Sequence, residues 1–206
     1  MISISEFKRR ALAQLKGNWK EPVLLAFVYF IICAGLGAIP IVGQFSAWVV
    51  IIPLACGLTW AMLGFYRGNK KDLLRKLFDP FNDFGRVFLT MFLMGIYIWL
   101  WSLLLIIPGI IKSLSYAMTT YILKDRPELG YNDAITLSRQ MMDGRKWRYF
   151  VLQLSFIGWG ILNIFTLGIG TFWLIPYIQT TQAAFYEELK KEGDEAVVVE
   201  IVELMA

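Results

Sequence analysis

Within its long apolar runs the chain carries a single charge, Lys112. An ionisable group at membrane depth is a functional candidate by default. Around it in sequence stand Ser113, Ser115, Tyr116, Thr119 and Thr120, and later apolar runs add Gln153, Asn163, Gln179, Thr180, Thr181 and Gln182. An ammonium group among hydroxyls and amides suits a lipid phosphate or an anionic solute. Two plainer uses fit the same residues. Lys112 can snorkel to a membrane surface, and the polar groups can hydrogen-bond between helices. Lys112, Ser115, Tyr116, Thr119, Asn163 and Gln179 make up the candidate ligand site. A second set, Arg145, Lys146, Trp147 and Arg148, forms a basic collar that could grip an anionic headgroup. The same collar could equally be a positive-inside anchor.

Other chemistries are poorly served. There is no histidine, which removes imidazole bases, His-containing triads and His metal sites. No CxxC pair, Walker A sequence or dinucleotide fingerprint occurs. The acids are scattered, and no pair has spacing that would make it catalytic. We therefore expect no enzymatic activity, no cofactor and no metal. Cys33 and Cys56 lie inside apolar runs and read as small core residues. Ile32 before Cys33 argues against a lipid-anchored cysteine, and the long charged N-terminal region argues against a cleaved signal.

The elements that must position these residues are membrane helices. Of the residues 57% are hydrophobic and 17% charged, against about 45–50% and about 25% in a soluble domain. The excess lies in runs long enough for a bilayer core about 30 Å thick. Six spans fit, near 22–42, 45–66, 87–107, 109–123, 149–166 and 171–186. All sixteen Asp and Glu fall outside them, and nineteen of the twenty Lys and Arg fall on one side. That side must be the cytoplasm. The reading is an all-α polytopic membrane bundle in a bacterial cytoplasmic membrane, with both termini cytoplasmic. The net charge of +4 then reflects topology, and no nucleic-acid partner is expected.

Three amphipathic stretches precede the hairpins, at 3–16, 72–84 and 132–143. Ser3 and Glu6 have capping-box spacing, and Ile4, Phe7, Ala11 and Leu15 share a face. Such helices are expected to lie in the cytoplasmic interface, apolar face toward lipid. Pro80 should bend or end the second stretch. Each stretch ends near a glycine (Gly17, Gly85, Gly144), and each returning helix holds an Ile-Pro at Pro53, Pro108 or Pro176. A pseudo-three-fold repeat follows, with units of about 1–68, 69–125 and 126–191 in one membrane domain. In the second unit the outer turn falls near Ser102 or at Pro108-Gly109, and the choice sets the depth of Lys112. Gly57, Ala61 and Gly64 form a small-residue stripe, suited to packing within the chain or to a dimer contact. Residues 192–206 hold a valine-rich run that favours a strand by propensity but has no obvious partner, so a flexible cytoplasmic tail is expected.

The stretches Ile107-Pro108-Gly109-Ile110-Ile111-Lys112, Ser138-Arg139-Gln140-Met141-Met142-Asp143-Gly144-Arg145-Lys146-Trp147-Arg148 and Leu154-Ser155-Phe156-Ile157-Gly158-Trp159 carry a resemblance. Over residues 1 to about 191 the chain resembles a family of integral membrane proteins of Gram-positive bacteria known as a domain of unknown function, with six spans. It is more distantly similar to the membrane domain fused to some glycerophosphodiester phosphodiesterases. The catalytic part of those fusions has no counterpart here. The resemblance implies the membrane architecture and assigns no functional residue.

The expected function is non-enzymatic: binding or organising membrane lipid, chiefly anionic phospholipid, or a membrane protein partner. One alternative is a carrier or flippase for an amphiphilic anion using Lys112. Another is an accessory subunit of an exporter or envelope complex.

Overall fold

Ser3 starts the first helix as its sequence requires: its side chain accepts from the Glu6 amide at 3.3 Å, satisfying one orphan donor of the first turn. Glu6 does not complete the reciprocal cap. Its carboxylate instead pairs with Arg9 at 2.6 Å and Arg10 at 3.1 Å. The computed structural model describes the backbone of residues 2–39 and 42–205, and side chains outside 40–48, 104 and 194–206. Over these residues the chain is helical. In order come α1 (Ile4–Leu15), α2 (Lys20–Gly37), α3 (Val42–Tyr66), α4 (Leu73–Lys76), a 3-10 turn at Asp79–Asp83, α5 (Phe84–Leu104), α6 (Ile106–Ser115) and α7 (Thr119–Asp125). Then follow α8 (Tyr131–Met141), α9 (Lys146–Leu154), α10 (Ile157–Phe165) and α11 (Thr171–Met205).

Five helical stretches are long and apolar enough to cross a membrane: Lys20–Gly37, Val49–Tyr66, Leu73–Leu103, Ile106–Asp125 and Lys146–Phe165. The stretch at 171–186 is not among them. It begins α11, which packs against α1, α2, α3, α8 and α10. A helix surrounded by protein needs no lipid-facing apolar surface. Its Thr180 and Thr181 are fully buried and donate to the Pro176 and Tyr177 carbonyls, each at 2.7 Å. The helix also runs on through the valine-rich segment to Met205, so that backbone is helical where propensity favours a strand.

Two expected spans are each two helices. The fourth breaks at 116–118 between α6 and α7, and the fifth at 155–156 between α9 and α10. Foreign side chains repair both breaks. Ser138 of α8 accepts from the Met118 amide at 3.2 Å and donates to the Ser115 carbonyl at 3.0 Å. Lys8 of α1 donates to the Ser155 carbonyl at 2.9 Å and lies over the Phe156 ring; burial lowers its pKa from the ordinary lysine value. Ser138→Ala leaves a buried donor and a buried acceptor unpaired and is expected to cost about 1–3 kcal/mol. A thermal unfolding midpoint equal to the parent's would contradict that assignment.

The amphipathic stretches do not keep their apolar faces for lipid. Phe7, Ala11 and Leu15 are fully buried, and α1 packs on α11 and α9. Leu73 and Leu77 are also fully buried, and α4 packs on α3. The second stretch is a single helical turn followed by the 3-10 turn that contains Pro80. On α8, Ala134 and Ile135 are buried, and the helix packs on α5 and α7. The small-residue stripe serves contact within the chain, since a Cβ on Gly57 would lie 1.9 Å from the Leu77 carbonyl oxygen. Gly17 and Gly144 adopt left-handed φ values of 78° and 68°. Gly85, by contrast, lies inside α5, and it is Gly68, at φ 95°, that closes α3. The link at 40–41 lies outside the described residues, and the turn expected at 42–44 falls within the start of α3.

Candidate functional site

The second hairpin turns at neither of its two expected places. Leu105 is the extended residue between α5 and α6, with φ −164° and ψ 147°. Pro108 falls in the first turn of α6, where a missing amide hydrogen is harmless. Gly109 meets Ser102, whose hydroxyl would be 2.2 Å from an added Cβ, so the two helices close tightly at that level. This register sets Lys112 beside Trp101, with Nζ 4.5 Å from the indole centroid.

Three helices then enclose a cleft of about 390 Å³. From α5 come Tyr97 and Trp101, one turn apart. Lys112 and Tyr116 belong to α6 and its C-cap, again one turn apart. Asn132, Ile135, Thr136 and Arg139 come from α8, at the i, i+3, i+4, i+7 spacing of one helical face. The Tyr97 hydroxyl donates to the Asn132 side-chain oxygen at 3.3 Å, and the Tyr97 and Tyr116 rings lie 6.3 Å apart. No carboxylate lines the cleft among the described residues. Among the described residues neither Lys112 nor Arg139 forms an ion pair. Two cations with hydroxyl and amide neighbours and no counter-charge among the described residues have the chemistry to receive an anion.

Of the candidate ligand residues, the structure brings Lys112 and Tyr116 together. Ser115 lies behind them, buried, its hydroxyl donating to the Ile111 carbonyl at 2.8 Å. Thr119 is fully buried on α7, and its hydroxyl has no partner among the described atoms. Gln179 is on α11 with its side-chain oxygen buried and without a partner among the described atoms. Asn163 belongs to another hairpin, where it donates to Thr171 Oγ1 at 2.5 Å. There it lines a separate, mostly apolar groove of about 480 Å³ with Trp19, Trp159 and Trp173.

The collar is occupied internally. Arg145 pairs with Glu192 at 2.7 Å. Arg148 reaches the same carboxylate at 3.7 Å, donates to the Ile2 carbonyl and sits over the Phe7 ring. Lys146 pairs with Asp143 at 3.3 Å. Only Trp147 is largely free, at 73% exposure. These pairs tie the start of α9 to α11 and α1 and spend the charges that a headgroup would need.

Sequence reasoning missed Tyr97, Trp101, Asn132, Thr136 and Arg139. The Tyr97 and Trp101 spacing on an apolar helix was a local signal. That Arg139 would face Lys112 had none, because the whole of α7 and two links lie between them.

Residues 103–193 match the family model described as "Protein of unknown function (DUF975)". The matched segment holds Lys112, Tyr116, Asn132, Thr136 and Arg139 but neither Tyr97 nor Trp101. No curated protein and no solved structure matches the chain.

Proposed function

We propose that this chain is a non-enzymatic membrane protein that holds the anionic headgroup of a lipid between Lys112 and Arg139. The observation that carries the reading is the cleft itself, where among the described residues two cations stand without an ion pair or a carboxylate, with hydroxyl and amide groups at the walls. Exposed apolar residues at the hairpin tip, Leu103, Leu105, Ile106 and Ile107 at 64–76%, would meet the acyl chains of the same lipid. Anionic phospholipid fits better than neutral lipid on charge alone.

The same proposal extends to the architecture. Three units, about 1–68, 69–125 and 126–191, each consist of an amphipathic stretch and a hairpin. In support, α4 packs on α3, α8 on α7, and α1 on α11. Each stretch thus seats on the returning helix of the preceding unit, and the first closes on the last. The hairpins would enter a bacterial cytoplasmic membrane from the cytoplasmic face, with both termini on that face.

Native mass spectrometry of the protein released from nanodiscs tests the binding. One retained phosphatidylglycerol is expected, with phosphatidylcholine lost. A charge-assisted hydrogen bond contributes about 1.5–3 kcal/mol, so Lys112→Met with Arg139→Gln should weaken retention roughly 100-fold. Arg145→Gln should leave it unchanged. Equal retention of both lipids, or an unaltered double variant, would refute the headgroup site.

The break at 116–118, bridged by the one hydroxyl of Ser138, favours a second reading. A hinge beside an anion site suits a carrier for an amphiphilic anion. In that case Lys112→Met should abolish anion movement across vesicle membranes while leaving the unfolding midpoint in place.

A further inference from the structure

We infer that the second and third hairpins are re-entrant: although helical stretches in both are long and apolar enough to cross, each hairpin enters the cytoplasmic leaflet, turns near the bilayer midplane and returns, and only α2–α3 crosses. This goes beyond the headgroup site and does not depend on it.

The second hairpin is measured from α8. That helix meets α5 at Tyr97, through the bond to Asn132 at 3.3 Å. It exposes Asp133, Arg139 and Gln140. An ionised carboxylate facing lipid at membrane depth is costly, so the headgroup level lies at α8. From Tyr97 to the end of α5 at Leu104 is seven residues, which at 1.5 Å per residue is about 10 Å. A bilayer core is about 30 Å thick. The tip therefore covers roughly one leaflet, and tilt only shortens it. The tip residues Leu105 and Ile106, at 68% and 76% exposure, face lipid there. Lys112, six residues into α6, falls about 9 Å below the tip, level with the headgroups.

The third hairpin gives the same answer from different residues. Lys8 marks its base at the Ser155 carbonyl. Above that point α10 has nine residues, about 13 Å, and buries none of them. On the returning side Phe172 packs against Phe27 at 5.3 Å and Phe30 at 5.7 Å. Those residues stand seven and ten positions above Lys20, roughly 10–15 Å up α2. The turn at 166–170 thus ends beside the middle of α2, which continues to Gly37. Basic residues at the base of the hairpins, Lys8 and Arg139 among them, complement an anionic cytoplasmic leaflet.

The test uses the full chain with Cys33→Ala and Cys56→Ala. Nitroxide labels are placed through Leu105→Cys and Leu167→Cys, at positions 68% and 93% exposed. A control label goes on through Glu128→Cys in the loop after α7. In reconstituted vesicles both tips should show high collision with dissolved oxygen and loss of access to an aqueous nickel chelate, while Glu128→Cys shows the reverse. In intact cells a membrane-impermeant maleimide should fail to reach either tip from outside. Nickel access or outside labelling at either tip overturns the inference. From the outer face it would mean a complete crossing, and from the cytoplasmic face a tip resting on the surface.

Discussion

Gly57→Ala should unseat α4 from α3. The added methyl would lie 1.9 Å from the Leu77 carbonyl oxygen and 2.7 Å from its carbon. These are backbone atoms, so no rotamer change relieves the overlap. Leu73 and Leu77 are fully buried at this contact, and separating the helices by even one ångström opens gaps on both sides of them. Overpacking of this kind costs about 1–3 kcal/mol and can cost more where the backbone must move. For a chain of this size about 3 kcal/mol corresponds to roughly 6–12 °C in the unfolding midpoint. Gly35→Ala is the matched control: it sits in α2 with nothing within 4 Å of an added Cβ, and the exchange favours helix. If the two variants unfold at the same temperature, the close approach of α3 and α4 is wrong.

Asp125→Ala should be comparably damaging for an electrostatic reason. The ends of α3 and α7 and the middle of α11 converge at this carboxylate. Arg67, just past α3, donates to it at 2.7 Å and 2.5 Å. From α11, the Tyr186 hydroxyl and the Lys190 ammonium each donate at 3.1 Å. Arg67 also bonds Glu187 at 2.6 Å. The hydrogen bond to Asp125 is the chief cause that raises the Arg67 pKa above its ordinary value, against the opposing effect of burial. The Asp125 side chain is only 9% exposed, so its removal takes a carboxylate from Arg67, which keeps Glu187, and leaves Lys190 and the Tyr186 phenol without this partner. Breaking a buried pair by deleting one partner costs about 3–5 kcal/mol. Partial exposure of Arg67 and Lys190 puts the expected loss near the lower end, about 3 kcal/mol. A double-mutant cycle with Arg67→Met checks the assignment: the two losses should be far from additive. Additive losses would mean that the helix ends are held by something else. High salt should weaken this junction only slightly, in contrast to the exposed pair of Arg126 and Glu128 at 3.7 Å, because screening acts on solvated charges.

The two variants probe the same design from opposite ends. Gly57 lies where an amphipathic stretch seats on a returning helix. Asp125 lies where the returning helices meet. Neither touches the cleft of Lys112 and Arg139, so the loss expected on changing those cations is separable from loss of fold. The cleft also explains why Arg139, and not the more conspicuous Arg145 and Arg148, is the second cation of the proposed headgroup site. Glu192 already satisfies Arg145 and Arg148.

Much of this molecule is legible in one dimension. Hydropathy is a sum over neighbours, so the apolar runs and the helices long and apolar enough to cross a membrane follow directly from the sequence. Lys112 stands out for the same reason, as the single charge in those runs. What pairs with what is a different kind of quantity. The stripe of Phe7, Ala11 and Leu15 has the same spacing whether it meets lipid or α11, and only packing decides that it meets α11. The breaks at 116–118 and 155–156 leave no mark in hydropathy, because side chains twenty or more residues away satisfy the exposed backbone groups. Arg139 faces Lys112 because α8 lies across α5 and α6, an outcome of three surfaces fitting together. Local sums therefore determined the helical, membrane-compatible character of the chain, while the cleft between α5, α6 and α8 and the internal pairing of the collar were decided by contacts that exist only once the chain is folded.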